Sequence, residues 1–182
     1  MFPQTLIDTI ISYIPYWYET KDLVRKLDLE TLFGNPGALD IIEKNLNRIS
    51  WINLSQNSNP RAIRILENNL DNICWDYLSE NPGACRILEN NLNRISWSHL
   101  SANTNPRAIR LLEQNLENID LNDVEWSHLS GNPGALDILE NNVEKICWFM
   151  LSANTNPRAI RLLENNLDKV DWVILSSNPS AL

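Results

Sequence analysis

The chain has 182 residues, of which 43% are apolar, and it carries 15 Lys+Arg against 23 Asp+Glu for a formal net charge of −8. This acidic balance disfavours general binding to nucleic acid or to an anionic membrane surface, and no apolar run is long enough to cross a bilayer. The three cysteines form no C-x-x-C pair, which indicates reduced thiols in an intracellular, cytoplasmic protein.

Residues 1–26 precede a repetitive region. In the stretch "FPQTLIDTIISYIPYW" apolar side chains recur at helical spacing, which predicts an N-terminal capping region over the first repeat. The alternative is an F-box-like remnant, because the Phe-Pro start, the Leu-Ile pair and the Ile-Pro end are similar to that motif. Such a segment would make the chain an adaptor that recruits a ubiquitin ligase. The space before Leu29 is shorter than a full F-box, which favours the cap.

Tandem repeats occupy residues 27–182. Seven Asn-Pro pairs are spaced alternately by 24 and 22 residues, apart from one spacing of 27, and a tryptophan follows six of the prolines. Two repeats therefore make a period of 46 residues, which an insertion of five within 120–125 interrupts. For this reason "SANTNPRAIRLLE" stands both at 101–113 and at 152–164. The tryptophans are Trp51, Trp75, Trp97, Trp126, Trp148 and Trp172.

Each repeat predicts a first helix that starts at its Asn-Pro pair. Asparagine is a favoured N-cap and proline suits the first helical position. An asparagine nine residues after the proline is expected to close the helix in the left-handed conformation, which gives a helix of about ten residues. The N-caps would be Asn35, Asn59, Asn81, Asn105, Asn132, Asn156 and Asn178, and the closing residues Asn45, Asn69, Asn91, Asn115, Asn142 and Asn166.

A second, shorter helix begins at each tryptophan. Ser50, Ser96 and Asp171 suit its N-cap position, whereas Cys74 and Cys147 at the same position do not. With two helices per repeat and no strand pattern, the predicted fold is all-α, an α-solenoid of tandem two-helix repeats of 22–24 residues with a 46-residue double period. The tryptophans are predicted to be core residues, with a ligand-stacking ladder as the alternative.

The consensus N-P-x-A-[IL]-x-[IL]-L-E-x-N-L-x-x-I-x-W-x-x-L-S resembles the short Asn-Pro/Trp tandem repeats of giant DNA virus proteins. The resemblance implies an α-helical repeat protein with a protein-binding role in the host cell cytoplasm. It brings no catalytic motif.

Paired arginines are the candidate partner-binding residues. They occur in the P-R-A-I-R sequence of every second repeat and predict a surface strip for acidic side chains or phosphates. The alternative is pairing within the helix, Arg64 with Glu67, Arg110 with Glu113 and Arg161 with Glu164. The repeated glutamate itself is expected to accept a hydrogen bond from a neighbouring repeat's backbone or indole N–H. The candidate residues are Arg61, Arg64, Arg107, Arg110, Arg158 and Arg161.

The sequence predicts no catalytic residue, metal site or cofactor. No nucleophile motif or phosphate-binding loop is present, and His99 and His128 lack a second ligand at fixed spacing. We therefore expect a non-enzymatic scaffold for protein–protein interaction, acting through the arginines, the long loops and the insertion. The incomplete final repeat also predicts a homo-oligomer through the open solenoid end. A reader of single-stranded nucleic acid is an alternative that the net charge opposes.

Overall fold

The computed structural model describes residues 39–181. The predicted N-terminal cap, its F-box-like alternative, the boundary at residue 26 and the predicted N-cap Asn35 lie outside these residues. Within them the chain forms twelve α-helices: α1 (Leu39–Glu43), α2 (Trp51–Gln56), α3 (Pro60–Glu67), α4 (Trp75–Glu80), α5 (Cys85–Glu89), α6 (Trp97–Leu100), α7 (Pro106–Asn115), α8 (Trp126–Gly131), α9 (Leu136–Glu140), α10 (Trp148–Ser152), α11 (Pro157–Glu164) and α12 (Trp172–Leu175).

The order of these helices repeats the order of the sequence motifs. Odd-numbered helices follow the Asn-Pro pairs, and even-numbered helices begin at the tryptophans. A single 3₁₀ turn connects the two helices of each repeat: Leu46–Arg48, Leu70–Asn72, Leu92–Arg94, Leu116–Asn118, Val143–Lys145 and Leu167–Lys169. A further 3₁₀ turn spans Pro179–Ala181. Residues 39–181 contain no strand, and the predicted all-α repeat fold is confirmed.

The chain divides into two compact units, Met1–Cys74 and Trp75–Leu182. In the described part of the first unit, α3 packs against α1 and α2. In the second unit, α4 packs against α6, α8 against α10, and α10 against α12, while α5 packs against α7 and α9 against α11. Like helices of successive repeats therefore lie side by side, as an α-solenoid requires.

Leucines rather than tryptophans form the centre of the core. The leucine three residues after each tryptophan is fully buried in five repeats: Leu54, Leu78, Leu100, Leu129 and Leu151. The indoles of the same five repeats are half-buried, and that of Trp172 is 58% exposed. The tryptophan is the first residue of its helix, whereas the leucine lies one turn further in. The tryptophans therefore flank the core that they were predicted to fill.

The predicted first-helix start is correct in the P-R repeats. Asn59, Asn105 and Asn156 each accept a hydrogen bond from the backbone N–H two residues on, at 2.9 Å, and the helix starts at the proline. These helices have eight to ten residues.

In two P-G repeats the predicted start is wrong. The helix begins three residues after the proline, at Cys85 or Leu136, and has five residues rather than ten. Asn81 accepts the Gly83 N–H at 2.9 Å, and Asn132 the Gly134 N–H at 3.0 Å. These bonds close a turn before the helix, and the residues at the N-cap positions are Ala84 and Ala135.

The predicted left-handed closure of the first helix is also wrong, because no non-glycine residue in the described range has a positive φ. Asn69, for example, has φ −139° and ψ 47°. Its side-chain N–H donates instead to the carbonyl of Ile65, four residues earlier, at 2.7 Å. The asparagine thus satisfies a carbonyl that the helix end leaves open. The equivalent bonds of Asn45, Asn91, Asn115, Asn142 and Asn166 measure 2.7–2.9 Å.

Two of the three predicted caps of the second helix are present. Ser50 accepts the Asn53 N–H at 3.3 Å, and Asp171 accepts two backbone N–H groups. The prediction for Ser96 is wrong, because its hydroxyl lies 2.9 Å from Nδ1 of His99 and makes no cap bond.

Candidate functional site

A buried asparagine stands six residues after each of five tryptophans, and we call this set the asparagine ladder. Asn103, with no exposed surface, shows its chemistry. Its Nδ2 donates to the carbonyls of Ser79 at 2.8 Å and Asn81 at 3.1 Å in the preceding repeat, and its Oδ1 accepts the Asn105 N–H at 2.9 Å. The amide therefore ties one repeat to the next. The ladder consists of Asn81, Asn103, Asn132, Asn154 and Asn178.

A serine four residues after each tryptophan forms a second connection, which we call the serine ladder. The Ser130 hydroxyl donates to the Trp126 carbonyl at 2.7 Å and accepts the Cys147 N–H of the next repeat at 2.9 Å. Ser55 accepts the Cys74 N–H in the same way, at 3.1 Å. Because the residue before the tryptophan contributes its backbone N–H, a cysteine serves there as well as a serine. Ser79, Ser101 and Ser152 make the equivalent pairs of bonds.

The sequence analysis did not predict either ladder, although the serines and asparagines stand at fixed distances from the tryptophans in the sequence. Their polar atoms are hydrogen-bonded inside the stack, which leaves them unsuited to bind a ligand. A functional site must therefore be sought among exposed residues, above all those that differ from repeat to repeat.

The first arginine of each predicted pair forms an ion pair with the preceding repeat. Arg107 makes two hydrogen bonds with Glu89, at 3.1 and 2.6 Å. Arg158 bonds Glu140 at 3.0 and 2.6 Å. A further bond from Arg158 to Asp137 measures 2.8 Å, and the hydrogen bonds to these two carboxylates raise the pKa of Arg158 above its ordinary value. Arg61 lies 3.6 Å from Glu43.

These contacts correct the prediction for the repeated glutamate. In the pairs that the structure describes, its partner is the arginine of the following repeat, not a backbone or indole N–H. The predicted pairs within one helix do not form either. Arg64, Arg110 and Arg161 are exposed, and none has a carboxylate within ion-pair distance in residues 39–181. Half of the arginine series thus remains available to a partner.

A cleft of about 330 Å³ opens where the insertion meets the α6 helix. We call it the Trp97 cleft, and it is lined by Ile95, Ser96, Trp97, Ser98, Asn122 and Asp123. Asp123 is exposed, and its carboxylate forms no hydrogen bond or ion pair within the described part of the chain.

The insertion has a defined conformation. The Asp123 N–H donates to the Asp120 carbonyl at 2.8 Å, and the Asn122 N–H donates to the Asp120 carboxylate at 2.9 Å. The indole N–H of Trp126 donates a hydrogen bond to the Leu121 carbonyl at 3.1 Å. Val124 beside them is only 4% exposed. Contacts within the chain therefore fix the conformation of the insertion, which forms one wall of the cleft.

The insertion that forms one wall of the Trp97 cleft is acidic. Residues 120–125 include three Asp and Glu, which are Asp120, Asp123 and Glu125, but no Lys or Arg. Glu125 adds a persistent charge, because a hydrogen bond from the Ser127 hydroxyl lowers the pKa of its carboxyl. A negative field of this kind attracts cations to the cleft.

Cysteine thiols and metal-ligating side chains are the remaining reactive groups of residues 39–181. Cys85 is buried, and desolvation raises the pKa of its thiol, which keeps it in the unreactive form. Residues 39–181 hold no group of three His, Cys, Asp or Glu side chains that could bind a metal ion.

Comparison with protein-family models, with curated proteins and with solved structures yields no match to this chain. Among the helices of residues 39–181, none combines the length and apolar character needed to span a membrane.

Proposed function

We propose that the chain is a non-enzymatic repeat scaffold that mediates protein–protein interaction. One observation carries the proposal: the buried serines and asparagines of the two ladders are hydrogen-bonded within the stack, while exposed features such as Arg110 and the insertion at 120–125 differ among repeats. A scaffold separates its residues in this way, because the stack needs uniform contacts and a partner needs a distinctive surface. The likeness of the consensus to repeats of giant DNA viruses supports a viral protein that acts in the host cytoplasm.

The proposed contact surface has two parts within the second compact unit. Arg110 and Arg161 are exposed without a carboxylate partner in the described residues, so their guanidinium groups can bind acidic side chains. The insertion at 120–125 supplies an acidic surface with an ordered backbone. Both features are absent from some repeats, which gives the surface its specificity.

Affinity capture with chemical crosslinking and mass spectrometry tests the proposal. The wild-type chain is compared with a double variant, Arg110→Gln with Arg161→Gln, and with Asp123→Asn. Because these side chains are exposed and unpaired in the described part, melting temperatures should not change.

We expect at least one protein to crosslink to the wild type at these surfaces and to be lost with a folded variant. If the three chains crosslink the same proteins and none of these proteins exceeds the background, the result would contradict the proposed function.

A further inference from the structure

We infer that the Trp97 cleft binds a cationic side chain, arginine or lysine, presented by a partner protein. The inference rests on the proposed function and specifies the chemistry of the partner. It depends on how this fold treats the faces of its own tryptophans.

Two other repeats show a cation over the tryptophan ring. The Arg94 guanidinium lies 4.9 Å from the ring centroid of Trp75, and the Lys169 ammonium lies 4.8 Å from that of Trp148. Both cations stand twelve residues after the proline of the following repeat, at the end of its 3₁₀ turn. In these two repeats the fold therefore brings this position over the preceding indole. Attraction between the cation and the ring's electron-rich face favours the contact.

Trp97 lacks this internal cation. The residue twelve after Pro106 is Asn118, which is neutral, and no cation lies over the Trp97 ring among the described residues. The insertion begins just beyond Asn118 and opens the cleft at this indole. The fold thus leaves a place for a cation at Trp97, beside an insertion that has no Lys or Arg.

The lining groups suit a guanidinium or an ammonium. Trp97 offers an aromatic surface. The Asp123 carboxylate, which has no partner among residues 39–181, offers a charge and hydrogen-bond acceptors. Asn122 donates its side-chain N–H to Asp120 at 2.8 Å, so its own carbonyl oxygen is left to accept. An aromatic ring beside a carboxylate is a recurring way to hold a cationic side chain.

A tryptophan at this position does not by itself recruit the internal cation. Lys145 stands twelve residues after Pro133, yet no contact with the ring of Trp126 forms in the described structure. The indole N–H of Trp126 is bonded to the Leu121 carbonyl instead. Trp97 has no such bond to the insertion.

The test is a nuclear magnetic resonance titration of the full chain with N-acetyl-arginine methylamide or its lysine analogue. The neutral isostere N-acetyl-citrulline methylamide is the ligand control. We expect saturable shifts of the Trp97 indole N–H and of the Asn122 and Asp123 amides with the cations, and none with citrulline.

Asp123→Asn should weaken binding by about fivefold or more, because it removes the charged acceptor. The matched control is Glu117→Gln, which changes the net charge equally outside the cleft and should leave the affinity within about twofold. Equal losses in both variants would reduce the effect to general electrostatics and overturn the inference.

Asn118→Arg restores the internal cation. We expect it to move the Trp97 indole resonance toward its ligand-bound position and to abolish binding of the added arginine amide. Unchanged binding to this variant would contradict the inference.

The outcomes separate the two proposals. If partners crosslink to the wild type and crosslink equally well to the Asp123→Asn and Asn118→Arg variants, the scaffold function stands and the cation site fails. If the amides bind the cleft but no partner is captured, the site stands as a cation pocket and the scaffold function fails.

Discussion

Asn103→Ala is the substitution that examines the asparagine ladder most directly. It removes one buried amide that bridges two repeats and leaves every apolar contact of the helices in place. The loss in free energy of unfolding depends on how many partner groups lose their only hydrogen bond.

The Asn81 carbonyl keeps a bond from the Ala84 N–H at 3.1 Å, so it is not orphaned. The Ser79 carbonyl and the Asn105 N–H lose the bonds of 2.8 and 2.9 Å that Asn103 provides. Each orphaned buried group costs roughly 1–3 kcal/mol, so the free energy of unfolding should fall by about 3 kcal/mol. For a chain of this size that is a drop in melting temperature of roughly 6–12 °C.

Urea unfolding followed by far-ultraviolet circular dichroism gives the stability change, with Asn93→Ala as the control. Asn93 is exposed, and its removal should change the free energy of unfolding by less than about 0.5 kcal/mol. Hydrogen exchange adds the location, because the Asn105 amide should lose protection before amides of distant repeats. If Asn103→Ala is no less stable than Asn93→Ala, the ladder does not hold the repeats together.

Three further predictions address the other contacts between repeats and the N-cap of α8, where the Glu125 carboxylate accepts the Ser127 N–H at 3.4 Å. Ser130→Ala removes a hydroxyl that both donates and accepts, and it should cost about 1–2 kcal/mol in thermal unfolding; a loss no greater than that of an exposed serine would refute the serine ladder. Glu89→Gln breaks the exposed ion pair with Arg107 and should cost less than about 1 kcal/mol, an effect that high salt removes, whereas Glu113→Gln should leave the melting temperature unchanged. Glu125 has a lowered pKa in the folded chain, so its stabilising contribution is present above its unfolded pKa of about 4.3 and is lost as the pH falls through the lower folded pKa. Glu125→Gln should flatten the pH dependence of the melting temperature in that window, and parallel curves for the two proteins would count against the cap.

The repeat pattern was sufficient to predict the all-α fold because helix signals act locally. The Asn-Pro pair of the P-R repeats contains both the cap and the first helical residue, as Asn105 and Pro106 show. The apolar positions of the same helix fix its buried face, which includes Leu112. Interactions that close within four residues can be read from one short stretch of sequence.

The role of each Asn-Pro asparagine, in contrast, cannot be predicted from the local sequence. The same Asn-Pro dipeptide is a helix cap at Asn105 and a ladder residue at Asn132. The choice depends on the loop length after the tryptophan, which decides whether the asparagine six residues later is also the one before the proline. Neighbouring residues alone do not reveal this difference.

Tertiary structure decided the pairing of the arginines and the identity of the candidate site. Arg107 reaches Glu89, which is 18 residues away, instead of Glu113. Asn132 bonds a carbonyl 29 residues earlier, across the insertion. The Trp97 cleft likewise joins one repeat to the insertion in the next. The sequence by itself determined the helices and their repetition, because the hydrogen bonds of a helix are local. Only the stacking of the repeats decided which side chains bond between repeats and which remain exposed.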